Sequence, residues 1–310
     1  MWFQGDMELF QKTLNLHRPN YSESEMAVGE RTLELLLAPF SDKILGGVLV
    51  VLHDVTEHHR NEARRKEFVA NVSHELRTPL TNVRGYAETL RDAEGSIPLD
   101  TANGFLDIII NETDRMTHIV QDLLILSRLD AGNTEMAFRR FSFREAMENV
   151  VRANTISAAA RNQELSCSIP DDLPEIDGDR IRLEQVMTNI IGNAIKYTPD
   201  GGHIKVSAGL ENINNIWMDV WDDGIGIPKE SRNRIFDRFY RVDKARSRES
   251  GGTGLGLSIA WEIVQRHHGA LSLPDHDGPG TTVRLILPIR QKATYERENN
   301  AKGGEKNAAV

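Results

Sequence analysis

Two long segments place apolar residues at alternating steps of three and four, a spacing that fits little besides paired helices. The first carries it at Val69, Val72, Leu76, Val83, Tyr86 and Leu90. The second carries it at Phe105, Ile109, Met116, Ile119, Leu123 and Leu126, interrupted at Glu112. A seam of this kind leaves water only by packing against another seam. Gly95 and Pro98 break the chain between the two. The expected unit is therefore a hairpin of helices near 56–91 and 99–130, and because two helices cannot bury both seams, two copies should join as a four-helix bundle.

Inside the first helix lies Ser73-His74-Glu75-Leu76-Arg77-Thr78-Pro79. His74 is two residues past Val72, about 200° around the helix, so its imidazole should face solvent. Glu75 is positioned to take a ring proton as the imidazole becomes positive. Thr78 follows one turn later on the same face, where its hydroxyl could orient a water. Pro79 removes an N–H and should loosen the helix at this point. Without further motifs, the same residues describe a surface histidine on a coiled coil.

Composition narrows the class. The 310 residues, 39% hydrophobic and 27% charged, are enough for two or three soluble domains. A net charge of -9, with no basic face interleaved with aromatics, argues against nucleic acid as a partner. Cys167 is the sole cysteine, which excludes an intrachain disulfide, and it is expected as a small buried hydrophobe. The longest apolar run, Ile44 to Leu52, is split by Gly46-Gly47 and is shorter than the about 18 residues of a membrane span. A chain without a membrane segment, in the cytoplasm, is the expectation.

Residues 31–37 and 44–55 read as two strands separated by Pro39 and the Ser41-Asp42-Lys43 turn, and the first ten residues read as a helix. Past Gly132 the pattern becomes a mixed α/β layer. Helices are expected near 142–161, 179–197, 228–238 and 254–268, and strands near 163–169, 203–209, 215–222, 269–273 and 281–287.

Three elements of this second part carry chemistry. On the helix opened by Asp179, Asn189, Asn193, Lys196 and Tyr197 share a face apart from the apolar one. Amides and a cation suit phosphate oxygens and a hydrated Mg²⁺, although a solvent-facing polar stripe would look alike. Asp222 ends a strand and is followed by Gly224 and Gly226, where a carboxylate can accept from an adenine amino group and glycines let backbone approach a ligand. Asp-Gly also makes ordinary turns. Finally, Gly251-Gly252-Thr253-Gly254-Leu255-Gly256-Leu257 opens a helix whose free N–H groups can receive an anion. The polar run Asp243 to Ser250 reads as a mobile lid, and Arg241 beside it could reach a transferring phosphate.

The order of these elements resembles the bacterial two-component sensor histidine kinases over about residues 57 to 290. Phe68-Val69-Ala70-Asn71-Val72 and Phe239-Tyr240-Arg241-Val242-Asp243-Lys244-Ala245-Arg246 look most like the WalK group, and Thr81-Asn82-Val83-Arg84-Gly85-Tyr86 is also similar to the PhoR type. The resemblance implies an α + α/β chain: a dimeric four-helix-bundle histidine phosphotransfer domain (57–132), then a Bergerat-type α/β ATP-binding domain (133–290). Leu52-His53-Asp54-Val55-Thr56-Glu57 resembles the exit of a PAS sensor, so 1–56 is expected as a partial PAS segment and 291–310 as a disordered tail. It further implies His74 as phosphoacceptor with Glu75 and Thr78 as its catalytic neighbours. ATP would lie among Asn189, Asn193, Lys196, Tyr197, Asp222, Gly224, Gly226, Arg241, Gly252, Thr253, Gly254, Leu255 and Gly256, with Mg²⁺ on Asn193. The implied partners are a second copy and a response-regulator receiver domain. Full-length relatives usually sit at the membrane through upstream segments that this chain lacks. A nucleotide-gated binding module and a gyrase-like ATPase are the rival readings, the latter disfavoured by the His-Glu pair.

Overall fold

The computed structural model describes residues 22–41, 46–93, 95–130, 136–243, 252–275 and 278–291. The helix expected over the first ten residues, the lid from 244 to 250 and the tail from 292 lie outside these. The chain divides into two compact units, Met1–His74 and Glu75–Val310. Among the described residues no helix is long and apolar enough to cross a membrane.

The first unit holds an antiparallel sheet of β1 (Ser22–Val28), β2 (Arg31–Ser41) and β3 (Gly46–Asp54), in that order. β1 was not expected, because its sequence SESEMAV offers few β-branched residues. β2 continues through Pro39, where a break was expected. Its pairing with β1 ends at Leu37 while its pairing with β3 continues to Ser41, so Pro39 lies where one side of the strand needs no donor. The sheet passes directly into helix α1 (Thr56–Asp92). There the Thr56 hydroxyl donates to Asp54 Oδ1 at 2.6 Å and accepts from the Thr32 N–H at 2.8 Å, while Asp54 Oδ1 also accepts from the Thr56 N–H at 3.1 Å, tying the helix start to the sheet.

In the second unit, α2 (Leu99–Asp130) runs antiparallel to the later part of α1. The Tyr86 and Phe105 rings meet at 5.1 Å, the Asn82 amide donates to Glu112 at 2.7 Å, and Arg115 donates to Glu75 at 3.1 Å. Glu112, the interruption in the seam, is thus the acceptor that Asn82 requires. Pro79 lies within α1.

The larger sheet has the order β5 (Glu164–Ser168), β7 (His203–Asn212), β8 (Asn215–Asp222), β10 (Thr281–Pro288), β9 (Ala270–Ser272). Only β5 and β7 are parallel. Buried and open positions alternate along β8, so one face of the sheet is covered. Helices α3 (Phe143–Ala159), α4 (Arg180–Tyr197) and α5 (Gly256–Arg266) supply the cover, with Met147, Val186, Ile190, Ile259 and Ile263 meeting Val206, Met218 and Leu285 in one core. A two-stranded ribbon of β4 (Arg139–Phe141) and β6 (Ile176–Gly178) completes the layer.

Two further expectations are corrected. Residues 228–238 form a 3₁₀ turn at Lys229–Ser231 followed by further turns. The N–H groups of Ser231, Arg234 and Asp237 each reach back three residues, the tighter spacing that replaces an α-helix over short runs. Cys167 is exposed on the outer strand β5, not buried.

Candidate functional site

α4 begins where the Asp179 side chain accepts from the Arg182 N–H, an N-cap that fixes which residues face the core. Leu183, Val186, Met187, Ile190 and Ala194 are buried, which leaves Asn189, Asn193, Lys196 and Tyr197 along the opposite edge. Asn189 donates to the Gly256 carbonyl at 2.9 Å, tying α4 to the start of α5. Asn193 is half-buried on the same edge.

Across from α4, β8 ends at Asp222, a carboxylate only 6% exposed. Its Oδ1 accepts from the Gly224 N–H at 2.9 Å. Residue 224 must be glycine, since a Cβ would stand 2.6 Å from the Tyr197 carbonyl oxygen and 2.7 Å from Asp222 Oδ1. Gly226 adopts φ 72° in the same loop.

The third side is the glycine turn before α5. Thr253 donates to Asp122 Oδ2 at 3.1 Å and accepts from the Leu255 N–H at 3.2 Å. Leu255 is fully buried, and the Gly254 carbonyl accepts from the Phe239 N–H at 2.9 Å. No side chain caps α5, so its first N–H groups remain for a ligand. A side chain at Gly252 would collide with the Lys196 ammonium. That cation lies directly against the turn, 5.1 Å from the centroid of the Tyr197 ring.

Lys196 is also where the electrostatics are most perturbed. Burial, then repulsion from Arg241 and Arg115, lowers its pKa to about 8. Arg241, with a side chain 5% exposed, donates through Nη2 to Glu75 Oε2 at 2.7 Å. The same oxygen accepts from Arg115 at 3.1 Å. The Nε atoms of both arginines are buried and unpaired. Three cations thus converge on few anions, an arrangement suited to a phosphate.

The structure therefore gathers the asparagine face, the Asp222 loop, the glycine turn and Arg241 around Lys196 and Tyr197, and it puts Glu75 of the histidine pair within reach of Arg241. His74 and Thr78 are exposed on α1. Phe236 and Phe239 pack on the core, and the Tyr240 hydroxyl donates to Ser231 at 3.0 Å, so the aromatic segment is structural support. Sequence reasoning missed Arg115 and Asp122. Arg115 had one visible signal, its place three residues after the seam-breaking Glu112. Burial raises the carboxyl pKa of Asp122, with Thr253 and His118 opposing.

Residues 64–132 match the family described as His Kinase A (phospho-acceptor) domain, and residues 178–291 the family described as Histidine kinase-, DNA gyrase B-, and HSP90-like ATPase. The chain is similar to the sensor histidine kinase WalK of Bacillus subtilis, 42% identical over 256 residues that cover 80% of this chain and 40% of WalK. It is also similar to a Staphylococcus aureus WalK, 39% identical over 243 residues, 78% of this chain and 58% of that protein. The chain thus spans less than two thirds of the length of either relative. Among solved structures it is similar to full-length ShkA in complex with AMPPNP, with TM-score 0.54 and 26% identity over 72% of this chain and 46% of ShkA.

Proposed function

Because the chain belongs to the sensor histidine kinases, on the WalK side of that family, we propose that it moves the γ-phosphoryl group of ATP to His74 and then to an aspartate of a response-regulator receiver domain. In this reading residues 57–132 are the dimerisation and phosphotransfer domain, 133–290 the ATP-binding domain and 1–56 part of a PAS-like sensor. The chemistry belongs on the cytoplasmic side, where ATP and receiver domains are found.

Adenine would lie toward Asp222 and the phosphates among Asn189, Asn193, Lys196 and the turn from Gly252 to Gly256. The donors fit a nucleotide: an uncapped helix start, an ammonium held at the glycine turn and a buried guanidinium with an unspent N–H. Asn193 would hold Mg²⁺, whose role is to neutralise the phosphate oxygens. A ring nitrogen of His74 donates its lone pair to the γ-phosphorus as the bond to the β–γ bridging oxygen breaks. ADP leaves with that electron pair, and the proton on the other ring nitrogen passes to Glu75. Arg241 and Lys196 stabilise the charge on the moving group.

The second copy would cover a stripe on α2 left open by the hairpin. Leu106, Ile110, Val120 and Leu124 are each at least 45% exposed. Thr113 and Thr117, exposed between them, donate their hydroxyls to the carbonyls of Ile109 and Thr113.

One observation carries the kinase reading: the 2.7 Å bond by which Arg241, beside the nucleotide cleft, reaches Glu75, the neighbour of the acceptor histidine. The test is incubation with γ-labelled ATP. Acid-labile label on the wild type, absent from a His74→Gln variant that still binds nucleotide, is the expected result. Label at wild-type level in that variant would place the acceptor elsewhere.

A further inference from the structure

We propose that Arg115 is a positioning residue for Glu75, holding its carboxylate in place while Arg241 transfers to the nucleotide phosphate. The inference rests on the kinase reading above. Glu75 Oε2 accepts from both Arg115 and Arg241, so two guanidinium groups share one carboxylate oxygen. In the proposed transfer one of them lets go, opening that oxygen to the His74 proton.

Arg241 is the one placed to leave. It borders the nucleotide site, and of the two arginines it is the one that lowers the Lys196 pKa more. A phosphate would use its guanidinium fork more fully than the single carboxylate oxygen does. Arg115 cannot follow. It is anchored within α2, 12% exposed, with Nη1 4.0 Å from Glu112, and Glu112 is itself fixed by the Asn82 amide at 2.7 Å. When Arg241 turns to the phosphate, Arg115 keeps the Glu75 carboxylate oriented. The proton then moves from the His74 ring to a carboxylate that retains one of its two charge partners.

A residue that only tied the hairpin together would change stability and nucleotide affinity. A residue that positions Glu75 changes the rate at saturating ATP and leaves nucleotide affinity alone. In the full chain, Arg115→Gln should lower the autophosphorylation rate at saturating ATP about tenfold, a part of what a general base supplies. The dissociation constant for ADP should stay within about twofold. Arg115→Lys, which keeps a cation there, should recover part of the lost rate. In a Glu75→Gln background, removing Arg115 should cost nothing further, since its effect passes through Glu75. A wild-type rate in Arg115→Gln, or an undiminished extra loss in the double variant, would overturn the inference while leaving the kinase reading intact. If Arg115→Gln fails to fold, Arg115→Lys decides: an unchanged rate, or a lower rate with equally weakened ADP binding, counts against it. Absence of label on the wild-type protein would remove the kinase reading and this inference together.

Discussion

At the scale of single residues, the proposed nucleotide site is tested most directly at Lys196. Its amine, with a pKa near 8, is held there by burial and by two neighbouring guanidinium groups. A phosphate beside it would favour the ammonium and raise that pKa. Binding is then linked to proton uptake: below about pH 8 the cation is already formed, and above it each bound nucleotide must bring a proton. ATP affinity should therefore fall as pH rises from 7 to 9.5, by about tenfold or more if the bound pKa exceeds that range. Calorimetry in buffers of different ionisation enthalpy should record uptake of up to about three quarters of a proton near pH 8.5. Lys196→Met should bind more weakly at pH 7 and show neither the uptake nor the slope. A flat wild-type profile would mean that Lys196 does not face the phosphates.

At the scale of elements, the two faces of α2 have different partners. The seam at Phe105, Met116, Ile119 and Leu126 is partly or fully buried within the described chain, whereas Leu106, Ile110, Val120 and Leu124 are not. If that open stripe is the dimer interface, Ile110→Asp combined with Leu124→Asp should give a folded monomer in sedimentation, with helix content by circular dichroism close to wild type. A dimer that survives both charges must use another surface. Only the first of these two faces was traced in the sequence, because heptad spacing marks a seam through large apolar residues and the outer stripe contains Thr113 and Thr117. The long helices, α4 and the five-stranded sheet were legible from periodicity. β1 was hidden by its serines and glutamates, and β2 was cut short at Pro39 because its one-sided pairing cannot be seen locally. The turn at Lys229–Ser231 was overcalled as a helix, since apolar spacing does not distinguish three-residue from four-residue hydrogen bonding. In the site, glycines and asparagines could be read because loops and cleft edges restrict residue type. Arg115 could not, since its meaning depends on which side chain lies across the hairpin.

Across the whole molecule, an acidic chain of net charge -9 gathers Lys196, Arg241 and Arg115 in one place, and the proposed kinase reading gives separate steps to separate parts. In that reading nucleotide capture would fall to α4, β8 and the turn before α5, proton acceptance to Glu75, and the acceptor role to His74. Removal of phosphate from a docked regulator needs none of the nucleotide cleft, only a group near the acceptor that can orient water. Thr78 meets that requirement: it is exposed on α1, four residues after His74 and so on the same face. Its hydroxyl both donates and accepts. The following Pro79 lies inside the helix and cannot donate to the carbonyl four residues back, that of Glu75, which leaves the backbone locally less constrained. Thr78→Ala should then keep autophosphorylation and transfer near wild-type rates while slowing dephosphorylation of the regulator about tenfold or more, the lower range of what positioned proton-handling groups supply. The measurement is the decay of purified phosphorylated regulator mixed with wild-type or variant kinase at matched ADP. Equal decay would reduce Thr78 to a helix residue ahead of a proline, and any phosphatase activity of the chain would then have to come from groups other than those on the acceptor face.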